Sequence, residues 1–148
     1  MGPFGEYVAA VPEENVEIVR RGYEALNGGD LEGALALFDP EVEVRPGVDV
    51  PDFDFSDVYH GPEGFLQFHA KMSEAWDELR WEPEEYIPAG DDVVVVFIRF
   101  RGVGRSSGVP VEQPIGHVCT MRDGKLVKHV TFWDRQKALE AAGLATNG

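Results

Sequence analysis

Gly116-His-Val-Cys-Thr-Met-Arg-Asp-Gly-Lys-Leu-Val-Lys-His-Val-Thr-Phe-Trp-Asp134, followed by Arg-Gln-Lys-Ala-Leu-Glu-Ala-Ala-Gly-Leu144, decides the fold. Asp123-Gly124 lies between two strand-like runs, and this dipeptide suits a type I′ turn, which needs positive φ at both central positions. With Arg122 opposite Lys125, regular pairing sets His117 across from Val130 and Val118 across from His129. One face then carries Gly116, Val118, Thr120, Val127, His129, Thr131 and Trp133. The other carries His117, Cys119, Met121, Leu126, Lys128, Val130 and Phe132. Both faces are largely apolar, so both are expected to be covered. So few helices cannot cover both faces of a large sheet, which points to a partner subunit.

Working outward, the chain alternates helical and strand patterns. Residues 1–12 hold Gly2, Pro3, Gly5 and Pro12 without periodicity and read as a flexible arm. Residues 13–27 form an amphipathic helix with Val16, Val19, Tyr23 and Leu26 on one stripe. Gly28-Gly29 ends it, and Asp30 caps a second helix expected to run to Phe38, buried through Leu31, Leu35 and Phe38. Asp39-Pro40 breaks that helix, and residues 41–45 alternate as a strand. After a long loop, 46–60, Pro62 opens a third helix with an apolar face of Phe65, His69, Met72 and Trp76. Strand-like segments follow at 80–88, 92–102 and 109–122. Val93 to Ile98 is continuously apolar, as in a strand buried on both sides. Asp134 caps a short terminal helix. The order predicts an α+β fold in which a cone-shaped, curved antiparallel or mixed sheet wraps around three helices from the N-terminal half. A short C-terminal helix completes it, and an apolar pocket is left between helices and sheet. Residues 13–144 make a single domain, with 145–148 as a tail.

Composition limits the function classes. The 148 residues are 43% hydrophobic and 27% charged, with a formal net charge of −14 and only 13 basic residues. That balance, without a basic stripe, argues against nucleic acid and against anionic membranes. No run approaches the roughly 18 apolar residues of a membrane span. The N-terminal residues lack a secretory pattern, so a cytoplasmic location is expected. The single Cys119 permits neither an intrachain disulfide nor a cysteine-rich zinc site, and its strand position makes it a small core or interface residue.

Three stretches, Gly22-Tyr-Glu-Ala-Leu-Asn-Gly-Gly-Asp-Leu-Glu-Gly-Ala-Leu-Ala-Leu-Phe38, Tyr59-His-Gly-Pro-Glu-Gly64 and Arg122-Asp-Gly-Lys-Leu-Val-Lys-His129, together resemble the nuclear-transport-factor-2-like superfamily in its SnoaL-like and ketosteroid-isomerase-like branch. The resemblance spans about residues 13–144. It implies a homodimer packed through the outer sheet face, and a fold that hosts isomerases, dehydratases, polyketide cyclases, epoxide hydrolases and non-enzymatic binding modules. The isomerase's tyrosine, aspartate base and aspartic acid would fall on Gly22, Arg45 and Gly116, so none of the three is matched, although Tyr23 stands beside the first. The Asp-Arg-Asp set of limonene epoxide hydrolase is also unmatched: the third strand gives Arg99-Phe100-Arg101, and Thr131 stands at the last Asp.

His129, by that resemblance, faces the pocket, as does His69 on the third helix. A neutral imidazole in a dry pocket can accept a proton near neutral pH while a second donates. These two are the candidate catalytic residues. Trp133, Tyr23, Thr131, Val118, Phe65 and Arg45 are candidate ligand-binding residues, Arg45 either holding an anionic group at the mouth or pairing with a surface carboxylate. His60 is expected to cap or brace the start of the third helix, and His117 to face the dimer interface. The acidic loop 49–57 lacks the glycine and bidentate glutamate of a calcium loop and reads as a solvated lid, with Phe53 and Phe55 closing the mouth. No metal or cofactor site is evident. Two functions follow: proton-transfer chemistry (cyclisation, isomerisation or dehydration) on a small apolar carbonyl compound, or non-catalytic binding of an apolar metabolite or accessory partner. They separate on whether His69 and His129 face one cavity.

Overall fold

The structure, a computed structural model, describes residues 3–47 and 58–144, with backbone alone for 3–12. Helix α1 covers Pro3–Asn27 and so begins earlier than residue 13, where the apolar periodicity starts. Its inward stripe is as expected: Val19 and Tyr23 are buried, with Val16 and Leu26 packed against the same core. Gly29, at φ 80°, lets the chain leave the helix in a left-handed conformation. Asn27 ties the helix end to the sheet: its amide donates to the Trp81 carbonyl at 2.8 Å and accepts from the Trp81 N–H at 3.0 Å.

Helix α2 is only Leu31–Leu35, capped by Asp30, whose Oδ1 accepts from Gly33 N at 2.9 Å. Phe38 is not helical, contrary to the sequence expectation. It opens strand β1, Phe38–Arg45, because the last strand claims this backbone: Leu126 N–H donates to the Leu37 carbonyl at 2.9 Å, and Phe38 pairs with Leu126. Asp39-Pro40 falls where the register of that pairing shifts, which accommodates a residue with no N–H to offer. Strand β2 (Tyr59–His60) adds a short edge, and helix α3 covers Gly61–Ala75. Trp76 leaves the expected helix stripe. Its backbone is extended and starts strand β3, Trp76–Ala89, while its ring packs edge-on against Phe100 at 5.3 Å.

Strands β4 (Val93–Gly104), β5 (Pro110–Arg122) and β6 (Lys125–Phe132) complete an open six-stranded sheet in the order β2-β1-β6-β5-β4-β3. Among the described residues only the β1–β6 pair is parallel. In β4, Val94, Val95, Val96 and Ile98 are all under 2% exposed, so the strand is covered on both faces. Each such side chain contributes about 1.5–3 kcal/mol of burial. Val94, Val96 and Ile98 join α1 and α3 in the inner core, while Val95 packs outside with Val118 and Ala138 of helix α4, Arg135–Ala141. Asp134 caps α4 as expected, accepting from Gln136 N at 2.8 Å.

Beyond the apolar cluster of Val95, Val118 and Ala138, the outer face of β3–β5 carries charge. Glu82, Glu84, Arg99, Arg101, Glu112 and Arg135 form a connected chain of ion pairs across the strands. Arg135 also donates to the Ile115 and Ile98 carbonyls, pinning α4 to the sheet.

The hairpin differs from regular pairing by one residue. Asp123 and Gly124 have the expected positive φ, 52° and 75°, and Arg122 pairs with Lys125. The register then shifts: Met121 pairs with Leu126, but Thr120 pairs with Lys128, leaving Val127 as an extra residue in β6. Beyond this bulge the partners are Cys119 with His129, Val118 with Val130, and His117 with Thr131. One inserted residue exchanges the faces of everything after it. His117, Cys119, Met121, Leu126, His129 and Thr131 consequently all line the inner cavity. Val118 lies in the outer cluster, and the Cβ direction of Gly116 meets Ala138 of α4.

Candidate active site

The cavity sits between α1, α3 and the inner sheet face and holds about 780 Å³ including its open mouth. Its wall is built from alternate or helically spaced positions. From α1 come Val19, Gly22, Tyr23 and Leu26, from α3 Phe65, Phe68 and His69, and from the strands Trp81, His117, Cys119, His129 and Thr131. None of the described lining residues is Asp, Glu, Lys or Arg. A smaller hollow of about 270 Å³ adjoins it, sharing Pro46, Phe68, Trp81 and Thr131 and adding Trp133.

The polar groups are concentrated where β5 and β6 face α1. Tyr23 Oη lies 2.5 Å from His117 Nδ1, and the two rings stack at 5.8 Å. The His117 ring meets His129 edge-on at 4.3 Å and Trp81 at 5.8 Å. Nε2 of His117 is buried and has no hydrogen-bond partner. A buried polar atom left in this state costs about 1–3 kcal/mol unless a bound group takes up its hydrogen bond.

Every ionisable group in this wall is held in its neutral form. Burial drives His117 well below the usual imidazole range, and neighbouring His129 adds to the effect. Burial pushes His129 down to about 4. Burial also lowers His69. Tyr23 is raised well above the usual phenol range by burial and by the adjacent Cys119, whose thiol burial pushes up to about 12. A charge-free wall of low polarity has this consequence for acids and bases alike. Cys119 is therefore a thiol, not a nucleophile.

Of the sequence candidates, His129, His69, Tyr23, Thr131 and Phe65 share this cavity, with His69 stacked on Phe65 at 6.1 Å. Trp133 lines the adjoining hollow. Val118 and Arg45 do not belong. Val118 turns outward because of the bulge, and Arg45 turns away because Val44 takes the inward position of the alternating strand. Arg45 Nε pairs with Glu43 at 2.5 Å, the surface alternative. His60 occupies the N-cap position of α3 without a capping side-chain hydrogen bond. The proposed lid with Phe53 and Phe55 lies outside the described residues. His117, expected at an interface, is instead central to the cavity. The adjacent apolar pair Leu126-Val127 was the one local sign that alternation breaks there. Among the described residues no three His, Cys, Asp or Glu side chains converge as a metal site.

The SnoaL-like domain family matches residues 19–129, and the chain belongs to it. Solved structures agree. A nuclear-transport-factor-2-like protein of unknown function from Burkholderia pseudomallei is 25% identical, with a TM-score of 0.72 over 86% of this chain and 95% of its own. TerC, co-crystallised with polyporic acid, is 26% identical, with a TM-score of 0.72 over 88% of this chain and 98% of its own. A candidate polyketide cyclase from Xanthomonas campestris shares the fold at 20% identity, with a TM-score of 0.67 over 88% of this chain and 97% of its own. No curated protein sequence matches the chain.

Proposed function

We propose that the protein catalyses proton transfer on a small, apolar, carbonyl-bearing molecule, in a cyclisation, isomerisation or dehydration. The observation that carries this reading is the convergence of His129, His117 and Tyr23 on one otherwise apolar cavity, with His69 on the same wall. His129 is the base, and Tyr23 acts through His117 to fix the imidazole pair.

A base of about 4 is weak in the empty cavity. It strengthens as the reaction needs it. An enolate forming about 4 Å from the new imidazolium stabilises it by about 4 kcal/mol at an effective dielectric near 20. That is about three powers of ten in acidity, enough to lift His129 toward neutrality while the charge is on the ligand. The stabilisation exists only when charge has developed, which is what accelerates a step. TerC's co-crystallisation with polyporic acid supports a ligand-binding reading for a fold of this kind.

Deuterium exchange at the α-carbon of a panel of apolar ketones, read by mass spectrometry, tests the proposal. The wild-type protein exchanges at least one member, and His129→Gln slows that exchange by about 10²–10⁴-fold. Equal exchange in both proteins rules His129 out as the base. Binding without exchange throughout the panel establishes the second reading, a non-catalytic pocket protein, which the absence of a carboxylate among the described lining residues favours. The homodimer through the outer sheet face is part of the same proposal, and sedimentation velocity distinguishes it from a monomer.

A further inference from the structure

The polar end of the cavity constrains the ligand more closely than the word carbonyl does. His117 is 3% exposed, with Nδ1 committed to Tyr23 and Nε2 left without a partner. Two proton arrangements satisfy the Tyr23 contact. In one, the Tyr23 hydroxyl donates to Nδ1, and the neutral ring carries its proton on Nε2. In the other, Nδ1–H donates to Tyr23, and Nε2 presents a lone pair. A ligand hydroxyl complements both, since it donates and accepts. An ether or a carbonyl complements only the first.

Charge is the second constraint. The titratable groups around the His117–His129 pair are Tyr23 on α1, Cys119 on β5 and His69 on α3, with Tyr86 of β3 behind Tyr23 at 6.5 Å. None is a fixed charge, and no described lining residue is cationic. A bare anion placed here has no counterion, and burying an unpaired charge is strongly unfavourable.

We infer that the cavity takes its ligand as a net-neutral species with one acidic hydroxyl, a phenol or the enol of a carbonyl compound, set against the His117–His129 pair. A ligand already ionised in solution enters only together with a proton. This rests on the cavity being the ligand site, as proposed above. It goes further in naming the group recognised and its charge.

The test uses the wild-type protein with phenol, 4-nitrophenol and 4-nitroanisole, by calorimetric titration between pH 6 and 9. Burial lowers the His117 and His129 imidazoles and raises Tyr23, Tyr86 and Cys119, and phenol, titrated in parallel, reports any pH dependence that belongs to the protein. The dissociation constant of 4-nitrophenol, which ionises near neutrality, rises about tenfold per pH unit once the free ligand is ionised. That of phenol, protonated throughout, stays level, and 4-nitroanisole binds at least tenfold more weakly than 4-nitrophenol at pH 6. Affinity for 4-nitrophenol that holds or grows with pH means that the bare anion binds, and it overturns the inference. So does equal binding of the methyl ether, which leaves the pocket reading intact. Failure of all three to bind removes both. In His117→Phe the preference for phenol over ether disappears, and a thermal melt confirms that the variant is folded.

Discussion

Adding one methyl group at Gly116 tests where the hairpin puts its side chains. A Cβ built there stands 2.7 Å from the Cβ of Ala138, which is wholly buried on α4. Non-bonded carbons prefer about 3.5–4.0 Å, so Gly116→Ala requires the helix and strand to separate by about 1 Å. Arg135 limits that movement, because its guanidinium already bonds the Ile115 and Ile98 carbonyls from the same helix. Overpacking of this kind costs about 1–3 kcal/mol. Stiffening the unfolded chain returns about 0.4–1 kcal/mol, so with both effects at the middle of their ranges the clash wins by about 1.3 kcal/mol. At this chain length each kcal/mol lowers the melting temperature by about 2–4 °C. Urea denaturation should show the loss in Gly116→Ala and little further loss when the change is made on Ala138→Gly, although that helix glycine itself costs about 1 kcal/mol. In the regular register Gly116 would look into the open cavity, where a methyl group is harmless. A Gly116→Ala protein as stable as wild type would therefore defeat the bulged register and the site built on it.

Other consequences are equally direct. Tyr23→Phe strips His117 of its remaining hydrogen bond and should cost about 1–3 kcal/mol, and unchanged urea stability would contradict the buried contact. Asn27→Ala removes both bonds to the Trp81 backbone, with a loss of similar size and faster amide exchange at Trp81. Unaltered exchange there would mean that the clamp is not formed in solution. Stability should be fully present above about pH 6.5 and decline toward pH 4. Unfolded imidazoles protonate near 6.5, whereas burial keeps His129 neutral down to about 4 and drives His117 well below the usual imidazole range. His129→Gln should flatten that decline, and identical pH profiles would speak against it.

The elements were largely legible because each rests on local chemistry. Asp30 and Asp134 cap helices, Asp123-Gly124 makes the turn, and the unbroken Val93–Ile98 run is a strand covered on both sides. What was not legible came from partners distant in the chain. Phe38 looks helical until β6 supplies a hydrogen-bond ladder, and Trp76 continues the α3 stripe until Phe100 and β4 receive it. The bulge at Val127 mattered most for the site. The family resemblance points His129 into the pocket, where it lies, yet regular period-two pairing sets His117 and Cys119 on the opposite face, because apolar residues on both sides of β5 give alternation nothing to distinguish. The helix stripe marks Tyr23 as inward-facing, but its hydrogen bond to a residue 94 positions away has no trace in local sequence.

Proton NMR of the imidazole rings addresses the convergence of His117, His129 and Tyr23 most directly. Ring centroids 4.3 Å apart should give a strong cross-relaxation peak between His117 and His129, with His117 also linked to the Tyr23 ring. Both imidazoles should hold their neutral shifts from pH 7 to pH 5. If the peak is missing and both rings take up protons near 6.5, as solvent-exposed histidines do, the neutral, buried cluster does not exist and the proposed chemistry goes with it.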